Sequence, residues 1–289
     1  VEAVVTDRIA LTGLRVFGRH GVFDHERRDG QDFVVDVVLH VDSADITTAA
    51  ATDDLTHTVD YGTLADRLAE VVAGEPVNLL ETLAIRLADV CLASPLVLEA
   101  EVTVHKPQAP IAHQFSDVAV TVVRRASRAV LALGANLGDR MGALQRAVEM
   151  LDATPSVTVL EVSPVYETAP VGPPQPDYLN AVVVVRTSLG SRALLDVAHE
   201  IEDELGRVRA ERFGPRTVDV DVLDFGGERS DDPVLTLPHP RAHERAFVLV
   251  PWHDIDPAAE IPGRGRIADL LDGVGVDGVR RREDLRLKT

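Results

Sequence analysis

The sequence predicts an α+β protein of two domains, over residues 1–124 and 127–289, and three observations predict it. Its 289 residues exceed the ~100–200 of an ordinary single domain. Hydrophobic periodicity orders the first part as ββααββ and the second as βαββαβ. Between them, Arg124–Arg128 is basic and short of large apolar residues, and a fresh apolar run starts at Ala129.

In the first part, Arg8–Phe17 and Phe33–Asp42 are rich in valine and leucine with partial alternation, which predicts two strands. Tyr61–Ala73 and Leu79–Ala93 carry helical spacing, and Leu80, Leu83, Ala84, Leu87 and Cys91 share one helix face. Leu98–His105 and Val118–Arg125 read as two further strands. The second part predicts strand Ala129–Leu133, helix Arg140–Leu151, and strands Val157–Thr168 and Leu179–Thr187. Helix Ser191–Arg207 and strand Val218–Phe225 follow, a ferredoxin-like order with a carboxy-terminal extension of helix and loop.

Composition narrows the function classes. A formal charge of −18 argues against broad nucleic-acid binding, because a phosphate backbone would be repelled. The one cysteine, Cys91, rules out an intrachain disulfide and a cysteine zinc cage, and fits a reducing, cytoplasmic setting. No apolar stretch approaches the ~18 residues that span a bilayer, and no signal-peptide pattern opens the chain. Of 29 basic residues only Lys106 and Lys288 are lysines. A chain that otherwise writes positive charge as arginine either needs an amine at 106 or keeps it by chance; only lysine gives up its proton near neutrality.

Strand Val218–Phe225 places Asp219 and Asp221 on one face, with Val218, Val220 and Val222 on the other. Two like charges on one strand face repel, and a hard divalent cation between them would offset the cost. A solvated acidic face is the other reading. Just upstream, Arg207, Arg209, Arg212 and Arg216 lie in a loop punctuated by glycine and proline, suited to gathering round a polyphosphate. Glu202 is open to two readings, a purine or ribose contact or a surface glutamate. His239, between Pro238 and Pro240, is either a phosphate contact or structural.

The blocks Gly134-Ala135-Asn136-Leu137-Gly138-Asp139, Pro176-Asp177-Tyr178-Leu179-Asn180, Arg212–Asp221 and Pro238-His239, in that order, resemble 6-hydroxymethyl-7,8-dihydropterin pyrophosphokinase from about Ser127 onwards. The resemblance implies diphosphate transfer from ATP to a hydroxymethyl-dihydropterin with two magnesium ions held by Asp219 and Asp221. It implies Arg207 and Arg216 as catalytic arginines and Arg209, Arg212, Glu202, Thr236, His239 and Arg245 as ATP-facing residues. Tyr178, Asn180, Phe213, Phe247, Thr168 and Val171 would frame the pterin. Ala135, Phe213 and Pro240 depart from the serine, tryptophan and tyrosine usual in that family; Phe213 can still stack.

In the first part, Gly18–Glu26, Val59-Asp60-Tyr61-Gly62, Asn78-Leu79-Leu80-Glu81 and Val104-His105-Lys106-Pro107 stand out. Glu81 falls in a first helical turn, where the dipole stabilises an anion, either to hold an amino-pyrimidinone edge or simply to cap. Lys106 ends a strand before a proline, placed to aim into a cleft as a general base. Together these segments resemble bacterial dihydroneopterin aldolase over about Asp7–Arg124, and imply its tunnelling fold. The resemblance implies retro-aldol cleavage to glycolaldehyde and 6-hydroxymethyl-7,8-dihydropterin with no metal in this half. Lys106 would be the base, Tyr61 a proton relay, Glu81 the pterin anchor beside Leu80, and Glu26 a supporting acid from the same copy or from a neighbouring one. Asp60 stands where that family often has histidine. It further implies a homo-tetramer or homo-octamer through this half, since ring closure pairs open sheet edges. The leading expectation is a bifunctional folate-pathway enzyme; the alternatives are a pyrophosphokinase displayed on an inactive scaffold, or a first half that is mainly an epimerase.

Overall fold

The computed structural model describes residues 6–170, 175–206 and 217–288. Two compact units divide the chain, Val1–Ala126 and Ser127–Thr289.

The first unit is a four-stranded antiparallel sheet in the order β1-β2-β3-β4 with two long helices on one face. Its elements run β1 (Thr6–Gly18), α1 (Asp24–Asp29), β2 (Gln31–Asp42), α2 (Ser43–Thr52), α3 (Tyr61–Ala73), α4 (Leu80–Leu92), β3 (Val97–His105) and β4 (Ala119–Arg125). β2 alternates strictly, and Phe33, Val35, Val37, Leu39 and Val41 are buried. They pack on Leu64, Leu68 and Val72 of α3 and on Leu83, Ala84, Leu87, Ala88 and Cys91 of α4. Asp60 caps α3, its carboxylate accepting the Gly62 and Thr63 amides at 2.9 and 3.0 Å. A bulge between Leu11 and Leu14 of β1 is turned by Gly13 at φ +76°, whose amide donates to Asp36 at 2.6 Å. The predicted ββααββ order is present, joined by α1 and α2. Helix α2 has no buried residue and is rich in threonine, so it offers no apolar stripe to read.

The second unit contains β5 (Ser127–Ala135), α5 (Arg140–Ala153), β6 (Val157–Val162), β7 (Tyr166–Thr168), β8 (Tyr178–Thr187), α6 (Ser191–Glu204) and β9 (Asp219–Phe225). The short β10 (Ser230–Asp231) and β11 (Thr236–Leu237), then α7 (Ala246–Ile255), β12 (Glu260–Ile261), β13 (Gly265–Arg266), α8 (Ile267–Val274) and β14 (Val279–Arg281) complete it. Its sheet runs β14-β7-β8-β5-β9, with β6 also on β8. The predicted ferredoxin-like order is therefore present, with one extra edge strand supplied by the carboxy-terminal extension. The single expected strand over Val157–Thr168 is two, because Ser163-Pro164 interrupts it: proline has no amide to donate to a ladder. Instead the Ser163 hydroxyl accepts the Val182 amide at 2.9 Å.

Both faces of this sheet are covered, which explains the unbroken apolar run in β8. One face packs Leu131, Leu133, Val183 and Val220 against Leu144, Val148, Leu194 and Ala198 of α5 and α6. The other packs Val130, Val182 and Leu223 against Val248, Leu249 and Trp252 of α7 and Ile267 of α8. Toward one end of this second face the apolar side chains give way to Gly134, Asn180, Asp219 and Asp221.

Candidate active sites

In the first unit the chemistry gathers where β3 ends. The Lys106 amide donates to the Val118 carbonyl at 2.7 Å, carrying the β3–β4 pairing one residue past His105. Its side chain is thereby turned to the buried face, where Nζ lies 2.5 Å from Glu26 Oε1 and 3.2 Å from the His20 carbonyl. Nζ also sits 5.8 Å above the Phe33 ring centroid. Lys106 is 7% exposed and Glu26 5%. Burial pushes the Glu26 carboxyl up, but its bonds to Lys106 and to the Phe23 amide outweigh this and hold it below its ordinary range.

Two residues to which sequence reasoning gave no role hold this pair in place. Gly21 has φ +150°, and a Cβ there would meet the Glu26 carboxylate at 2.4 Å, so only glycine leaves the carboxylate its position. His20 is 2% exposed; its Nε2 lies 2.7 Å from the Val72 carbonyl and its Nδ1 accepts the Val77 amide at 3.1 Å. That pattern requires a neutral ring with its proton on Nε2. The only signal in the sequence was the His-Gly pair itself, within the Gly18–Glu26 segment.

Burial pushes the His20 imidazole below its ordinary value of 6.5, helped by the Lys106 and Arg86 charges, against the opposing pull of the Val72 carbonyl. The unfolded chain therefore binds this proton more readily than the folded one. Stability from this site is full above pH 6.5 and is lost as pH falls below it. The protection factors of the β2 amides, their intrinsic exchange rates divided by the observed rates at the same pH, are expected to fall on acidification in the native protein, and to fall less in a His20→Gln variant. Equal pH responses would refute this.

The remaining predicted residues of this unit lie on the surface. Tyr61 is 65% exposed at the start of α3, and Glu81 is exposed in the first turn of α4, next to half-buried Leu80. Among the described residues no hydrogen bond joins Tyr61 or Glu81 to the Lys106–Glu26 pair. Asp60 is occupied as a helix cap. Phe17, Val22, Phe23, Leu55 and Leu79 are exposed apolar residues of the same unit.

In the second unit the register aligns a row across the sheet: Gly134 of β5 pairs with Asn180 of β8 on one side and Asp219 of β9 on the other. In the next row on this face, Ala132 stands between Val182 and Asp221. A Cβ on Gly134 would lie 3.5 Å from Asn180 Oδ1 and 4.0 Å from Asp219 Cβ, so any longer side chain would fill the space these residues face. Asn180 is 5% exposed and donates to Thr168 Oγ1 at 2.8 Å. Asn136, also buried, donates to Gln175 and to the Pro176 carbonyl at 3.0 and 3.1 Å, fixing the chain just before Tyr178.

Asp219 and Asp221 are both partly exposed, and Arg245 Nη1 lies 3.6 Å from Asp221. The same guanidinium sits 5.6 Å over the Phe247 ring. Glu202 is 1% exposed, which removes the surface reading; its Oε1 accepts the Val220 amide at 2.9 Å, covering the open edge of β9 between the two aspartates. The His239 amide donates to the Leu223 carbonyl at 2.8 Å, which brings its ring beside β9. Burial and the Arg245 charge push that imidazole down to about 4. With Nδ1 accepting the Arg241 amide, the neutral ring keeps its proton on Nε2 as a donor. Thr236 is half-buried in β11, its hydroxyl donating to the Asp232 carbonyl at 3.1 Å. Val171, Arg207, Arg209, Arg212, Phe213 and Arg216 lie outside the described residues.

Among the described residues no cluster of three or more histidine, cysteine, aspartate or glutamate side chains forms a cage for a metal. The Asp219–Asp221 pair fits a cation of another kind. Magnesium takes one or two carboxylates and completes its shell with water and a substrate's phosphates. Among the described residues no helix is long and apolar enough to cross a membrane.

The fold and sites thus define a two-unit α+β protein with a buried Lys–Glu pair in one unit and a paired-aspartate strand in the other. Residues 9–123 match the family model for dihydroneopterin aldolase, and residues 130–257 match that for 7,8-dihydro-6-hydroxymethylpterin-pyrophosphokinase. A dihydroneopterin aldolase of Streptomyces coelicolor is 57% identical over 118 residues, 41% of this chain and 97% of that protein. A 2-amino-4-hydroxy-6-hydroxymethyldihydropteridine pyrophosphokinase of Bacillus subtilis is 48% identical over 128 residues, 44% of this chain and 77% of that protein. One from Methylorubrum extorquens is 44% identical over 158 residues, 54% of this chain and 99% of that protein. The chain belongs to both families, the aldolase family through its first unit and the pyrophosphokinase family through its second.

Proposed function

We propose that this chain is a bifunctional folate-pathway enzyme, with an aldolase domain over 1–124 and a pyrophosphokinase domain over 127–289. The observation that carries the reading is that one chain holds both a buried Lys106–Glu26 pair 2.5 Å apart and the Asp219–Asp221 strand face.

In the first reaction 7,8-dihydroneopterin loses glycolaldehyde. A base removes the proton of the side-chain hydroxyl next to the breaking C–C bond, the electrons pass into the pterin C=N group, and a proton returned to carbon gives 6-hydroxymethyl-7,8-dihydropterin. The ring is the electron sink, so the protein supplies only proton transfers. Lys106 is the base, and Glu26, in direct contact, is the supporting acid that holds the amine in place. Tyr61 relays a proton, while Glu81 and Leu80 hold the pterin. Tyr61 and Glu81 are at the surface of a single copy, so a neighbouring copy completes the site; we propose a homo-tetramer or homo-octamer built through this unit, in the cytoplasm.

In the second reaction the hydroxymethyl oxygen attacks the β-phosphorus of ATP, the bond to the α-phosphate oxygen breaks, and AMP leaves. Asp219 and Asp221 would hold two magnesium ions, which when bound would neutralise charge on the phosphates. Arg207 and Arg216 act on that same charge, and Arg209, Arg212, Arg245, Glu202 and Thr236 face the nucleotide. Neutral His239 offers Nε2–H to a phosphate oxygen. Asn180, Thr168, Tyr178, Val171, Phe213 and Phe247 frame the pterin.

Purified protein given dihydroneopterin is expected to release glycolaldehyde with or without EDTA. Given hydroxymethyl-dihydropterin and ATP, it is expected to form AMP only while magnesium is present. Metal-dependent lyase activity, or AMP formation in EDTA, would contradict the assignment.

A further inference from the structure

One buried carboxylate takes no part in either proposed reaction. Glu167, in β7 between β14 and β8, is 8% exposed, and three arginines from two segments distant in sequence converge on it. Arg140, the first residue of α5, donates from Nη1 to Glu167 Oε1 at 3.1 Å. Arg282, just past β14, donates to Oε2 at 3.1 Å, and Arg280 of β14 donates to the same oxygen. A buried carboxylate costs several kcal/mol unless charges and hydrogen bonds compensate it. Here both oxygens are engaged, and the arginines together hold the carboxyl below its ordinary range despite burial.

The location of this cluster gives it a meaning beyond stability. Arg140 makes a second bond from the same Nη1, to the Asp177 carbonyl at 2.7 Å. Glu167 immediately precedes Thr168, and Asp177 immediately precedes Tyr178; Thr168 and Tyr178 are register partners in β7 and β8. Arg140 therefore links the Glu167 side chain, next to one member of that pair, to the Asp177 backbone, next to the other. Beyond it, Thr168 Oγ1 accepts the Asn180 amide at 2.8 Å. On the other side of β7, Arg280 is the register partner of Glu167, so β14 closes the cluster from outside.

We infer that Glu167 is a positioning residue for the pyrophosphokinase reaction: through Arg140 it fixes the Thr168–Tyr178–Asn180 wall against which the pterin binds. The inference rests on the pterin assignment made above. The clasp touches neither Asp219 nor Asp221, so its loss acts on the pterin and leaves the nucleotide side alone. The three arginines are not equal. Arg140 is the link to Asp177, whereas the Arg280 side chain is 71% exposed and contributes little in solvent.

The test uses the full-length protein with Glu167→Gln, Arg140→Ala and Arg280→Ala. The first two are expected to raise KM for hydroxymethyl-dihydropterin at least about tenfold, the scale of one lost charge-assisted hydrogen bond, with KM for ATP unchanged. Arg280→Ala is expected to leave both constants near wild type. Hydrogen exchange supplies a readout independent of turnover: amides of β7 and the start of β8 should exchange faster in Glu167→Gln, and those of β9 should not. If the native protein shows no pyrophosphokinase turnover, the functional reading fails and the positioning role fails with it, whereas the exchange data still report whether the clasp exists. A rise in both KM values together, no rise in either, or an Arg280→Ala effect equal to that of Arg140→Ala would overturn the positioning role.

Discussion

Replacing Lys106 by alanine is expected to lower glycolaldehyde release by roughly 10²–10⁴-fold, the range for a lost general base, and to leave ATP-dependent turnover of hydroxymethyl-dihydropterin intact. The structure also sets a structural cost. Lys106 and Glu26 are 7% and 5% exposed and form a direct ion pair, so truncating one leaves a buried charge that costs about 3–5 kcal/mol unless it takes up a proton. That cost falls on the first unit. A Lys106→Gln variant separates the two effects, because it retains a hydrogen-bond donor toward Glu26 but cannot act as a base. Loss of lyase activity in both variants, with hydrogen exchange of the β2 amides preserved in the glutamine form, is the expected pattern. Lyase activity near the native rate in Lys106→Gln would show that Lys106 is not the base.

Alanine at Asp219 or Asp221 is expected to cut AMP formation by about 10²–10³-fold or more, the scale on which a single electrostatic contact to a transition state counts. Little stability should be lost. Both aspartates are partly exposed on a strand whose opposite face, Val218, Val220 and Val222, stays packed. Removing one of two like charges two residues apart also relieves repulsion. Oligomer size and glycolaldehyde release should match the native protein, since both are assigned to the first unit. The magnesium concentration for half-maximal rate should rise in whatever activity remains. AMP formation at the native rate in both variants would end the metal assignment.

The alternation Val-Asp-Val-Asp made β9 legible from sequence, because a period of two with acids on one side has few other readings. Tyr61–Ala73 was equally plain from its helical spacing, whereas the capping role of Asp60 came only with the structure. Less local features were hidden. Glu202 looked like any polar residue on a helix, and its burial depends on β9 arriving beneath it. The clasp at Glu167 joins residues 113 and 115 positions apart, a separation no local pattern encodes. β14 is three residues long with two arginines and gives no alternation to read. In the first unit, the strand-end lysine and Glu26 were legible as candidates, while the neutral histidine and the glycine that hold them became visible only through tertiary contacts. Tyr61 and Glu81 remain apart from that pair in a single copy, as they would if the site is shared between copies.

One incubation tests the central claim, that the first site makes the substrate of the second. Native protein given only dihydroneopterin and Mg-ATP should release glycolaldehyde and then form AMP in no greater amount. Lys106→Gln should form no AMP from that mixture, and AMP formation should return to the native rate when hydroxymethyl-dihydropterin is added. AMP formed from dihydroneopterin by the variant at the native rate, or AMP from native protein without glycolaldehyde release, would contradict the account.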